Sequence, residues 1–94
     1  MALCYFEIKL DLPFSQSLKE KRGKVKSIIA RTSIKFNVSI AEVDMNDVWK
    51  SALLGVSIVA NDGKVFDGMI NTLISYLEFN YPDIIITVNS KEIL

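Results

Sequence analysis

Lys19, Lys21, Arg22, Lys24, Lys26, Arg31 and Lys35 follow one another closely, with Glu20 the only acid between Phe14 and Ala41. That segment carries an excess of six positive charges in a chain whose net charge is zero, so the remainder carries six negative. Such asymmetry can mark a surface for a polyanion. Phosphates need cations spaced along a surface, and a long basic helix could track a nucleic-acid backbone. A helix N-terminus adds free amides and a positive dipole. The plainer alternative is a solvated face that keeps a neutral chain soluble. Lysines at a helix start oppose the dipole. Lys19, Lys21 and Arg22 therefore carry a small local cost, which favours a function.

Other chemistry is poorly supplied. The chain has no histidine and one cysteine, Cys4. Thiolate and imidazole zinc sites are excluded, as are Ser-His and Cys-His nucleophile pairs. Glu42, Asp44 and Asp47 could hold a hard cation such as magnesium, but carboxylates there more often solvate a hairpin. No metal, cofactor or catalytic residue is expected. A single cysteine in a small domain reads as cytosolic, since no internal disulfide is possible. No segment reaches the roughly 18 apolar residues that would span a bilayer. The N-terminus lacks the pattern of a signal peptide. A cytoplasmic protein without membrane contact is the expectation.

Alternation and periodicity give the elements that must position those cations. In residues 2–12, Cys4, Phe6, Ile8, Leu10 and Leu12 alternate with Leu3, Tyr5, Glu7, Lys9 and Asp11, the pattern of a half-buried strand. Pro13 ends it. Ser17-Leu18-Lys19-Glu20 is a capping-box pattern. From there Leu18, Val25, Ile29, Thr32 and Phe36 line one face of a helix running to about Phe36, with Ile28 at its edge. Gly23 weakens this helix by up to ~1 kcal/mol relative to alanine. On the wheel, Lys19, Arg22 and Lys26 share one flank of the apolar stripe. Lys24, Arg31 and Lys35 share the other, with Lys21 near that edge.

Residues 37–44 and 51–60 read as two strands of a hairpin with a long polar loop. Leu54, Val56 and Ile58 should face the helices. Asp62 is a candidate cap for a second amphipathic helix over 64–80, which Pro82 ends, and residues 83–94 make a last strand. The order βαββαβ, with right-handed crossovers, predicts an α+β ferredoxin-like sandwich. One domain spans residues 1–94, with a four-stranded antiparallel sheet and two helices on one face.

That arrangement leaves one sheet face open. Leu3, Tyr5, Val38, Ile40, Leu53, Val59 and Ile85 are expected there, a larger apolar patch than a monomer usually leaves wet, so a homodimer through this face is expected. Base stacking on it is not. Tyr5 has no aromatic counterpart on the third strand, and Glu7, Asp11, Glu42 and Asp44 would repel phosphate. Trp49, in the 44–50 loop, reads as packing more readily than binding.

Ser17-Leu18-Lys19-Glu20-Lys21-Arg22, then Phe36 to Asp44, Trp49, Leu54-Gly55-Val56 and Asn61-Asp62, resemble the bacterial YlxP-like family, small proteins known as a domain of unknown function. The resemblance covers nearly the whole chain and implies a ferredoxin-like fold. Members are often encoded beside translation factors and ribosome-binding factor A, which implies a role around RNA or ribosome assembly. It implies no catalytic residue. One departure is Met45-Asn46, in a loop where members often carry histidine. Acylphosphatases share this size and fold, but they carry a glycine-rich loop ending in arginine between first strand and first helix. The corresponding Leu12-Pro13-Phe14-Ser15-Gln16-Ser17 has neither. The expected function is a non-catalytic RNA- or ribosome-associated binding module. The alternatives are a regulatory protein-interaction module acting as a homodimer and, less favoured, a small phosphatase-like enzyme.

Overall fold

A computed structural model describes all residues from Met1 to Leu94. The elements run β1 (Ala2–Asp11), α1 (Leu18–Lys35), β2 (Ser39–Asp44), β3 (Ser51–Ala60), a 3-10 turn (Gly63–Val65), α2 (Phe66–Asn80) and β4 (Ile85–Ile93). The strands form one antiparallel sheet in the order β2-β3-β1-β4. This is the ferredoxin-like α+β sandwich. No helix is long and apolar enough to cross a membrane.

The strict alternation of β1 drives the layering. Cys4, Phe6, Ile8 and Leu10 are buried on one face, and β3 sets Ile58, Val56, Leu54 and Ala52 opposite them. Val25 and Ile28 of α1, and Phe66, Ile70, Leu73 and Leu77 of α2, close over that layer in one core. The Phe36 and Tyr76 rings meet edge to face at 5.4 Å and tie the helices together. Apolar burial on this scale is the main stabilising term.

Three elements start later than expected. β2 starts at Ser39 rather than at residue 37, and β4 starts at Ile85 after a buried Ile84. Asp62 accepts the Lys64 amide at 2.9 Å, but it caps the 3-10 turn, and α2 begins only at Phe66.

The orientation of β2 is a larger correction. Val38 and Ile40 were expected on the open face. The register sets Ile40 opposite Val56, a fully buried residue, and both Val38 and Ile40 pack against the core. Residues directly opposite in an antiparallel pair share a face. Glu42, opposite Leu54, therefore also lies on the helix side. Ser39 and Ala41 take the open face. Beyond Glu42 a register shift sets Asp44 opposite Leu53, and Val43 lies against Gly55, whose added Cβ would stand 2.9 Å from its Cγ1. A second shift separates Phe6 from Glu7 where β1 meets β4. Both edge strands are thus irregular, which blunts them for pairing with another chain.

Candidate nucleic-acid interface

The basic helix is built as its sequence directs. Ser17 is extended, and its Oγ accepts the Glu20 amide at 3.0 Å. The Glu20 carboxylate reaches back, though to the Gln16 amide (3.4 Å) rather than to the cap residue. One free donor of the helix start, the Glu20 amide, is thereby satisfied, and the carboxylate ties down the chain just before the cap.

The structure divides the seven cations into three groups. Lys21 leaves the proposed surface altogether. Its side chain is fully buried, and its Nζ donates to Glu42 Oε2 (2.7 Å), the Met45 carbonyl (2.9 Å) and the Asn46 carbonyl (3.5 Å). It stands four residues before Val25 and seven before Ile28, inside the apolar stripe. A buried ammonium persists only when its donors are taken up, and the turned β2 supplies the carboxylate. The positive φ of Met45 (64°) turns the chain so that two successive carbonyls face it. Lys21 therefore fastens the 45–50 loop to α1.

Arg22 forms the second group. It stands 3.6 Å from Asp47, an exposed pair of little energetic weight. The third group is Lys19, Lys24, Lys26, Arg31 and Lys35. None has a carboxylate within 4.0 Å. All are exposed except Lys24, which is half-buried because its Nζ lies over the Tyr81 ring, 5.2 Å from the centroid. Arg22 faces the 45–50 loop through Asp47, Lys24 faces the end of α2 through Tyr81, and Lys19 shares a groove with Lys24.

Beside the N-terminal half of α1 lies an open groove of about 650 Å³, lined by Phe14, Lys19, Glu20, Gly23, Lys24 and Ser27 among others. Phe14 lines this groove and Tyr81 lies outside it, under the Lys24 ammonium; neither was singled out in the sequence. A phenylalanine directly after Pro13, outside either apolar stripe, was the available signal for the first. Tyr81 had none, because its role depends on the end of α2 meeting α1.

The open sheet face keeps Leu3, Tyr5, Leu53, Val59 and Ile85 of the seven residues expected there. They do not form one patch. Leu3 pairs with Val59 near one end, while Leu53 and Ile85 pair with Lys9 and Asp11 near the other. Tyr5 and Glu7 lie between them, joined by a 2.9 Å hydrogen bond from the phenol to the carboxylate. That bond, with partial burial, raises the Tyr5 pKa above its ordinary value. Trp49 is about half exposed beside Lys50, whose Nζ is 5.7 Å from its ring centroid. Cys4 is buried, and burial raises its thiol pKa. Glu42, Asp44 and Asp47 do not converge into a metal-holding cluster.

Two comparisons with known proteins bear on this chain. A family model described as "Protein of unknown function (DUF503)" matches residues 3–90. The chain is also similar to the uncharacterized protein YlxP of Bacillus subtilis (strain 168). The two are 32% identical over 76 residues, 81% of this chain and 82% of that one. The YlxP-like resemblance seen in the sequence is thus shown over most of the chain.

Proposed function

This chain belongs to the DUF503 family, and for it we propose a non-catalytic, cytoplasmic role in binding RNA, free or within a ribosomal particle, through the outer surface of α1. One observation carries the reading: five cations of a single helix, Lys19, Lys24, Lys26, Arg31 and Lys35, have no acidic partner. Unpaired cations in water cost little, and each can release a counterion from a phosphate backbone. Ten of the eleven acids lie outside the segment that carries these cations. Two of those ten, Glu42 and Asp47, sit against α1 at Lys21 and Arg22, and the five remaining cations stay available to attract a polyanion.

The test is binding of a labelled single-stranded RNA to the intact chain and to a variant carrying Lys24→Glu, Arg31→Glu and Lys35→Glu. The variant is expected to lose at least about a hundredfold in affinity at low salt, since three attractions become repulsions. Unchanged binding would remove the physical basis of the reading.

A second copy of the chain on the open sheet face is the alternative. It is supported by Leu3, Tyr5, Leu53, Val59 and Ile85 sharing that face, with Val59 65% and Ile85 59% exposed. Sedimentation decides it. A dimer that dissociates on Val59→Glu supports this reading, and a monomer at all accessible concentrations removes it.

A further inference from the structure

Gly23 stands well inside α1, where glycine weakens a helix more than any residue but proline. At one other glycine the fold accounts for the residue. At Gly55 an added Cβ would stand 2.6 Å from Tyr5 Oη and 2.9 Å from Val43 Cγ1, so the open-face ring needs that space. At Gly23 no neighbouring atom lies within 4 Å of the Cβ position, and the residue has no positive φ. Nothing within the chain asks for glycine there. Gly68 has equal open space in the first turn of α2, but it lines none of the molecule's grooves, and Gly23 does.

The surroundings of Gly23 are those of a seat for a phosphate backbone. It is part of the lining of the 650 Å³ groove, with Lys19 and Lys24 beside it. Both ammonium groups lack carboxylate partners, and Lys24 is held in place over the Tyr81 ring. Phe14, 38% exposed, gives an aromatic surface at the same groove. Ser27 keeps the next turn small. Glu20 also lines the groove; its carboxylate accepts the Gln16 amide at 3.4 Å and keeps its charge, so it opposes a phosphate at that edge and leaves the Gly23 side as the seat.

We propose that the RNA strand comes closest to the protein at Gly23, with a phosphate seated over the bare helix backbone between Lys19 and Lys24 and the adjoining nucleotide against Phe14. Removing the side chain lets the ligand backbone approach, the use of glycine wherever two backbones must meet. The inference rests on the RNA reading above and adds the place on α1 where the strand is seated.

The experiment compares the full chain with Gly23→Ala and Gly23→Gln, measuring the melting temperature and the affinity for a single-stranded RNA of about twelve nucleotides. Both residues favour helix over glycine, so both variants are expected to melt higher, by roughly 4 °C or more for alanine. Affinity is expected to fall about threefold for alanine and about tenfold for glutamine, following the size of the obstruction. Variants that melt higher and bind as well as the unsubstituted chain overturn this inference while leaving the RNA reading intact. Variants that melt lower show that the fold itself requires glycine, and overturn it too. Failure of the unsubstituted chain to bind any RNA overturns the reading and the inference together.

Discussion

Lys21 separates what a side chain could do from what its position lets it do. By type it belongs with the other basic residues of α1; by place it is a core residue, with Glu42 and two loop carbonyls around its ammonium. Replacing it by methionine keeps the apolar stem but leaves Glu42, whose side chain is 14% exposed, without its partner. Lys21→Met is expected to lower stability by about 2–4 kcal/mol, read from urea unfolding. RNA affinity, measured where the variant is folded, should change little, because no exposed charge is removed. A stability loss within ~0.5 kcal/mol would mean that the buried pair does not hold the loop. The sequence held a partial signal for this role, since Lys21 falls on the same wheel sector as Val25 and Ile28. Glu42 completes the pair only once β2 is turned toward the helices, and sequence alone did not decide that turn.

Elements whose side-chain pattern is one-sided were legible. β1 alternates without exception, and each residue of its apolar set is buried. α1 begins where its serine and glutamate indicate. Ser17→Ala is expected to cost about 1 kcal/mol and to speed hydrogen exchange of the Glu20 amide, with the rest of α1 little affected. Protection of that amide unaltered by the substitution would place its hydrogen bond elsewhere. β2 was misread for the opposite reason. Val38 and Ile40 on one side and Ala41 and Val43 on the other are both apolar, so alternation gives two equal answers. A slip of one residue exchanges the faces of a strand. Pairing with β3 decides between them, and Gly55 leaves the space that Tyr5 and Val43 occupy on the open side.

For the molecule as a whole, charge is segregated along the chain. The balanced total hides a positive helix and an acidic remainder. The structure removes Lys21 from that helix's surface and sets Arg22 against Asp47, yet five cations stay free of acids. The open sheet face is the weaker candidate. Two of its expected residues turn inward, and Glu7, Lys9 and Asp11 run between the apolar ones that remain. The groove beside α1 was not legible in the sequence, because it arises where the loop bearing Phe14 folds against the N-terminal half of that helix. The most direct test of the α1 surface is the salt dependence of RNA affinity for the unsubstituted chain and for the Lys24, Arg31 and Lys35 reversal. A helix that engages several phosphates should give a slope of log affinity against log salt of about −2 to −4, reduced by roughly 2 in the reversal. A slope near zero, or one that the reversal leaves unaltered, would contradict it.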